Sequence, residues 1–321
     1  MSNILPPILI SAYIRPEKLG ECLESISQCK NLFDRAVYVT SDAAGSVSDE
    51  KLVKKCRDVV EQYSELNIQH RYTTINSKGQ IIQDAAHEIM REYPYFIALE
   101  DDNVVSEDFL IYMDYHLSSN LDNQQIFSVC GYSFPVKNQN VPIIPLLWQA
   151  HNAWGAGYFT DRFLRMRELT IDSHIYLENY LSSCYKVFRR QRISPHFLRS
   201  SLSCYVKNKS HDDVLISIYM YLNSLYSIYP SRSLVRNTGH DGSGVNNKKI
   251  IEKYLIDQFP RFDTSLLSQP QFCKRRNKEL RRFFSQKPIQ HFLVIVLYIV
   301  IYPYIVLKNL IRRFNRSFRR H

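Results

Sequence analysis

The sequence predicts an α/β fold, a mostly parallel sheet flanked by helices, with a C-terminal amphipathic, membrane-associated helical tail. Three observations lead there. Short apolar runs alternate with helical periodicity through the first hundred residues, the pattern of a parallel sheet with covering helices. Charged residues stand at the ends of several of those runs, as Arg15, Asp42 and the triplet Glu100-Asp101-Asp102 do, and an open α/β sheet binds its ligands beyond the carboxyl ends of its strands. The charge is also segregated: residues 274–321 hold thirteen Lys/Arg against one acid, Glu279, whereas residues 1–273 hold 28 basic and 30 acidic side chains. The net charge of +10 therefore belongs to the tail, which disfavours a nucleic-acid-binding body.

Residues 8–12 read as the first strand, and Arg15-Pro16-Glu17 opens a helix with Leu19, Cys22, Leu23 and Ile26 on one face. Residues 36–40 form the second strand, ending at Ser41-Asp42. A helix over residues 49–66 leads to a third strand at 69–73, and residues 80–92 form another helix. Residues 95–99 form the strand that ends in the acidic triplet. Ser106 can cap a helix whose first turn holds Glu107 and Asp108, charges that suit the positive end of the dipole. Residues 127–131 read as a further strand, 136–147 as a loop, and the stretch from Trp154 to residue 225 as mainly helical. An apolar piece at 225–229 leads into a glycine-rich segment, Asn237-Thr238-Gly239-His240-Asp241-Gly242-Ser243-Gly244.

Seven scattered cysteines without a C-x-x-C pair argue against a zinc site and a disulfide framework, and they suit a reducing compartment. The first residues carry neither a basic n-region nor a long apolar h-region, so the body is expected to be cytosolic. Residues 292–307 are an unbroken apolar and tyrosine run of sixteen residues containing Pro303, short of the ~20 that a spanning helix needs. Seven cations precede the run and six follow it. A single span would put one cluster on the wrong side, whereas an interfacial or re-entrant helix keeps both on anionic headgroups, at about 1 kcal/mol per cation. A tilted transmembrane helix and a buried C-terminal helix are the competing accounts.

Stacked carboxylates at a strand end are costly unless a cation offsets them. Mg²⁺ or Mn²⁺ would do so, because both prefer carboxylate and phosphate oxygens and use few protein ligands when the substrate supplies the rest. Asp102 is the expected metal ligand, with Glu100 and Asp101 orienting water, ribose or backbone, against the plainer account of an acidic loop that caps the next helix. Ala12 and Arg15 would face the same crevice, as would Asp42. His211-Asp212-Asp213 begins an amphipathic helix, where either acid serves equally as a helix stabiliser or as the general base for an incoming hydroxyl. For His211 alone, a surface or capping residue is the favoured account. Trp154-Gly155-Ala156-Gly157-Tyr158 joins an aromatic ring to glycines that permit close backbone approach, as a sugar pocket or as a turn with core aromatics. Residues 239–244 lack the Gly-Lys-Ser/Thr of a Walker loop; they suit a mobile loop over phosphate, with His240 as a second metal candidate, or a plain flexible loop.

Taken in order, Ile8 to Arg15, Val39 to Asp42, Glu100-Asp101-Asp102, Trp154 to Gly157, His211-Asp212-Asp213 and Tyr229-Pro230-Ser231 resemble the inverting glycosyltransferases of the Rossmann-like GT-A fold, N-acetylglucosaminyltransferase I type. The resemblance implies a nucleoside-diphosphate sugar donor, UDP-linked in the first instance, contacted by Arg15 and Asp42. It implies a metal on Asp102 and a base at Asp212, with Asp213 as second choice. His211 stands where the family has tryptophan, and in place of the family's N-terminal anchor a membrane device is expected at the other end. The expected divisions are a nucleotide-sugar half at 1–150, an acceptor half at 151–265 and the tail at 266–321. The expected setting is the cytoplasmic face of a bacterial inner membrane, peripheral or monotopic, with a glycan or lipid-linked glycan acceptor in surface polysaccharide synthesis. Two readings stay beside this one: a nucleotidyltransferase acting on a sugar phosphate, and a non-catalytic membrane-bound carbohydrate-binding protein.

Overall fold

The computed structural model describes residues 4–136, 143–209, 211–239, 252–256, 258–259 and 261–318. Strand β1 (Ile8–Ala12) is almost wholly buried, and α1 (Pro16–Ser27) follows it with Pro16 as its first residue, where the missing N–H does no harm. Leu19, Cys22, Leu23 and Ile26 form its inner face, as the 3.6-residue period requires. The chain continues through β2 (Val37–Ser41), α2 (Glu50–Glu61), β3 (Ile68–Tyr72), α3 (Gln80–Glu92), β4 (Tyr95–Glu100) and β5 (Asn103–Val105). Next come α4 (Phe109–Ser119), β6 (Ile126–Cys130), β7 (Leu146–Trp148), β8 (Ala156–Phe159), α5 (Thr160–Leu169), α6 (Ser173–Leu181) and α7 (Cys184–Gln191). The remaining elements are α8 (Phe197–Lys207), α9 (Asp212–Leu222), β9 (Tyr226–Tyr229), β10 (Val235–Asn237), α10 (Lys274–Phe283) and α11 (Pro288–Phe318).

Eight strands form one mixed sheet in the order β3-β2-β1-β4-β8-β6-β9-β7. Pairs β3/β2, β2/β1, β1/β4 and β6/β9 are parallel, while β8 runs antiparallel to both β4 and β6, and β7 is antiparallel to β9. The parallel half is therefore the expected one. Strand β8 is the departure: Trp154-Gly155-Ala156-Gly157-Tyr158 runs from a loop into the middle of the sheet. A Cβ on Gly157 would sit 2.9 Å from Leu117, so this glycine serves strand-to-helix packing. Strand β7 likewise occupies the end of the expected 136–147 loop, of which 137–142 lie outside the described residues.

Helix α4 also starts later than expected. Ser106 accepts from Phe109 N–H through its backbone oxygen at 3.0 Å, and Glu107 and Asp108 precede the helix, both paired with Lys30. A separate two-stranded ribbon, β10 antiparallel to β5, sets Asn237 opposite Asn103.

The chain divides into two compact units that are discontinuous in sequence, unlike the three consecutive segments expected. The first comprises Met1–Trp148, Asn152–Phe163 and Tyr226–Phe272 and contains the sheet. The second comprises Gln149–His151, Leu164–Leu225 and Cys273–His321. Its core gathers Leu177, Leu181, Phe197, Leu198, Leu202, Leu215 and Ile218 with Tyr298 and Ile305 of α11. Pro303 does not interrupt α11, which runs for 31 residues and so exceeds the sixteen-residue apolar run.

Candidate functional site

Parallel pairing of β1 with β4 aligns Ser11 with Glu100, so both strands discharge their next residues at the same edge of the sheet. Arg15 precedes α1 there, and Asp101 and Asp102 follow β4. The Arg15 guanidinium donates from Nη1 to Asp102 Oδ2 at 2.7 Å, from Nε to Asp101 Oδ2 at 3.4 Å, and from Nη2 to Asp101 Oδ1. Both carboxylates are buried, whereas Arg15 is partly exposed.

Two asparagines complete the cluster. Asp102 Oδ1 accepts from Asn103 Nδ2 at 2.9 Å and from Asn237 Nδ2 at 3.1 Å. Asn103 also accepts from Glu100 N–H and Gly155 N–H through Oδ1, which ties the acidic turn to the segment after Trp154. Thr238 N–H donates to the Asp102 carbonyl at 2.8 Å, and Gly239 N–H donates to Asn237 Oδ1 at 3.0 Å. A Cβ on Gly239 would run into Asp102 Oδ2, so only glycine lets this backbone lie over the carboxylate. The glycine-rich segment thus reaches the acidic cluster through Asn237, Thr238 and Gly239; His240 and the rest of it lie outside the described residues. Asn103 stands next to the acids in sequence and was legible as a turn residue, whereas Asn237 gave no local signal.

The electrostatics are unbalanced. Two buried carboxylates face one guanidinium, a formal charge of −1. Burial lowers the Arg15 pKa, but Asp101 and Asp102 outweigh it and hold the guanidinium above its usual value. Burial raises the Asp101 carboxyl, and Arg15 offsets only part of that. The excess negative charge and oxygen donors suit a hard divalent cation. Among the described residues no group of three His, Cys, Asp or Glu could hold an ion by itself. The fit is therefore that of a minimal site, one carboxylate plus substrate oxygens, in which Asp102 has one acceptor position beyond its three protein donors.

Asp42 is buried at the end of β2 but is turned to its own loop. Its Oδ1 accepts from Ala43 N–H at 2.9 Å, Thr73 Oγ1 at 2.6 Å and Ser77 N–H at 2.9 Å; its Oδ2 accepts from Ser77 Oγ and Gly79 N–H, both at 2.9 Å. Burial opposes ionisation, yet the Ser77, Thr73 and Gly79 donors prevail and hold the carboxyl down to about 2. Five donors fill a carboxylate's acceptor capacity, so this residue organises the 73–79 segment that leads into α3. Ala12 is buried in β1.

Trp154 is half-buried in an aromatic group, edge-on to Tyr132 at 4.7 Å and to Tyr254 at 5.6 Å between centroids. Gly155 has φ of +62°, and a Cβ there would sit 2.7 Å from Val235. Both glycines of this segment thus lie close against protein neighbours. His211, Asp212 and Asp213 belong to the second unit and are exposed at the start of α9. Asp212 Oδ1 lies 3.6 Å from Arg167 Nη1, an exposed pair that contributes little to stability.

No protein-family model matches the sequence, and no curated protein matches it. Among solved structures, TarS 1-349 of S. aureus in complex with UDP is similar at 15% identity and a TM-score of 0.42, over 72% of this chain and 60% of that one. The mannosyltransferase PcManGT from Pyrobaculum calidifontis in complex with GDP-Man and Mn²⁺ is similar at 12% identity and a TM-score of 0.36, over 68% and 69%. An active-site mutant of LgtC is similar at 10% identity and a TM-score of 0.32, over 67% and 70%. The chain thus spans about three fifths of the TarS chain's length. Likeness at this level leaves function to the chemistry of the site.

Proposed function

We propose that the chain is a metal-dependent, inverting glycosyltransferase that moves a hexosyl or N-acetylhexosaminyl group from a nucleoside-diphosphate sugar, UDP-linked in the first instance, to a hydroxyl of a glycan or lipid-linked glycan precursor. The observation that carries this reading is the buried cluster of Arg15, Asp101 and Asp102, braced by Asn103 and Asn237, at the carboxyl ends of β1 and β4. A site of charge −1 repels a diphosphate, and a divalent ion reverses that sign, so donor and ion are expected to bind together.

Asp102 would hold the ion, which supplies Lewis-acid neutralisation of the departing diphosphate. Arg15 fixes both carboxylates and adds the nearest positive charge. The acceptor oxygen bonds to the anomeric carbon as the bond from that carbon to the diphosphate breaks on the opposite face. As the family resemblance implies, Asp212 would be the base that takes the hydroxyl proton, with Asp213 as the second candidate. Trp154, half-buried among Tyr132 and Tyr254, is suited to sugar stacking. Asp42 acts at one remove, by fixing the 73–79 segment. The seven free cysteines support a reducing setting, consistent with the cytoplasmic face of a bacterial inner membrane.

A thermal-shift screen of nucleotide sugars with Mn²⁺, Mg²⁺ or EDTA tests the reading. One donor class should raise the melting temperature only with the ion, and Asp102→Ala should remove the rise. Asp212→Asn should keep donor binding and lose transfer. A screen in which no nucleotide sugar binds, or in which EDTA and Asp102→Ala change nothing, rejects it.

A further inference from the structure

The 31-residue helix α11 carries two opposed faces. One face of α11 is a stripe at alternating spacings of four and three residues: Tyr298, Tyr302, Ile305, Asn309 and Arg312. Tyr298 and Ile305 are buried in the core of the second unit. Tyr298 Oη donates to the Leu181 carbonyl at 2.7 Å, and Asn309 Nδ2 donates to Ser182 Oγ at 2.8 Å. Arg312 grips Glu178 of α6 with both Nη atoms, at 2.7 and 3.1 Å, and Lys308 Nζ adds a contact at 3.6 Å. Glu178 is 0% exposed while Arg312 and Lys308 are partly exposed, so this clamp, a buried carboxylate held by two cations at its rim, fastens the helix along α6.

The opposite face is bare. Leu293, Val296, Val300, Tyr304, Leu307 and Ile311 recur at the same spacings, and all are exposed, Val300 at 70%. Helix α7 flanks α11 on its packed side, where Phe188 meets Tyr298 ring-to-ring at 5.9 Å, and it adds exposed Phe188 and Tyr185, the latter 68% exposed. Apart from Glu279, the charges carried by α7, α10 and α11 are all positive. Lys186 and Arg189 of α7, Lys274, Arg275, Lys278, Arg281 and Arg282 of α10, Lys287 and Arg313 are all exposed or half-exposed, and the sole acid in 274–318, Glu279, is half-buried.

We propose that α11 and α7 together form a monotopic docking surface for an anionic lipid leaflet, with α11 lying in the plane of the interface rather than crossing the bilayer. The window 288–315 is long enough to span by length and composition. The clamp opposes that use, since a span would carry Glu178, Lys308, Arg312 and the charged surface of α7 into hydrocarbon. In-plane seating sinks the bare stripe into the headgroup and acyl boundary, leaves Lys308 and Arg312 on Glu178, and lets exposed cations such as Lys287 and Arg313 reach the phosphates. Pro303 fits the same placement: it cannot donate to the Ile299 carbonyl, and Ile299 is exposed where headgroup water can satisfy that oxygen. A second copy of the chain would instead set these cations against each other. Charge complementarity therefore selects the anionic leaflet.

The experiment is co-sedimentation of the full chain with vesicles of phosphatidylcholine alone or with a third phosphatidylglycerol. It needs no nucleotide sugar, so its outcome is separable from that of the sugar-transfer reading. Binding should need the anionic lipid and fall at least tenfold between 50 and 500 mM salt. Val300→Gln with Leu307→Gln should weaken it at least tenfold, and Tyr185→Ser with Phe188→Ser should weaken it severalfold, each with an unchanged melting temperature. Membrane-impermeant labelling of cysteines introduced at Ile289 and Asn315 should modify both from outside the vesicle. Protection of one end would establish a span and overturn the proposal. Equal binding to neutral vesicles, no binding to either, or a salt-insensitive dimer that masks the stripe would overturn it as well.

Discussion

Replacing Asp42 with alanine tests whether the buried acid at the end of β2 organises its loop. The substitution removes the acceptor for Ala43, Ser77 and Gly79 N–H and for the Thr73 and Ser77 hydroxyls. A hydrogen bond to a charged group contributes about 1.5–3 kcal/mol, but a surface loop can rehydrate its donors. Ala43 N–H also keeps Thr73 Oγ1 as a partner at 2.9 Å. The expected net loss is therefore about 2–3 kcal/mol rather than the sum. The ionisation of Asp42 gives a second route to the number. Its carboxyl is held at about 2 against an ordinary 3.8, worth about 2 kcal/mol of stability at neutral pH. Because the folded value is the lower one, this contribution is present above the ordinary pKa and is lost as pH falls through the folded one. The window runs from about pH 4 to about pH 2, with about 1 kcal/mol gone at pH 3. Urea unfolding of both proteins between pH 7 and pH 3 measures it. The variant should be less stable by about 2 kcal/mol at pH 7, and the gap should narrow by about 1 kcal/mol at pH 3. A variant within about 0.5 kcal/mol of the parent at pH 7, or a gap that holds constant with pH, refutes the assignment.

Gly157→Ala should cost about 1–3 kcal/mol in denaturant unfolding, because its Cβ would press on Leu117 behind the central strand β8. Glu178→Ala should destabilise by about 3 kcal/mol, since it leaves Arg312 and Lys308 without their buried partner, and limited proteolysis should then release α11 before the rest of the chain unfolds. Gly239→Ala should spare the melting temperature to within a few degrees yet weaken metal-dependent donor binding at least tenfold, as the new methyl displaces the Asp102 carboxylate and crowds Arg15; unchanged donor affinity in a titration would separate Gly239 from the site.

The parallel half of the sheet was legible because its evidence is local. Apolar runs of five or six residues, Pro16 at a helix start and the acidic triplet each act within a few positions, and the elements fall within a few residues of their expected bounds. Strand β8 was hidden because two glycines in five residues read as a loop, whereas Leu117 requires one of them inside a strand. The site was legible in its charges and illegible in its bracing. Arg15, Asp101 and Asp102 announce themselves at strand ends, but Asn237 reaches Asp102 across 135 residues of sequence, through a ribbon that only the fold creates. Asp42 shows the converse: an acid at a strand end has the signature of a ligand contact, and the five nearby donors on its carboxylate are not visible in the sequence. The tail's charge segregation was legible in the sequence, but the Glu178 clamp that sets which face of α11 packs against α6 rests on tertiary pairing.

The central claim is that the Arg15, Asp101 and Asp102 cluster takes a nucleoside diphosphate together with a divalent ion. Calorimetric titration of UDP into the full chain, with Mn²⁺, with EDTA, and with Mn²⁺ in Asp102→Asn, measures it directly. The account predicts binding in the first case and at least a tenfold loss in the other two. Equal affinity in all three, or none in any, would contradict it.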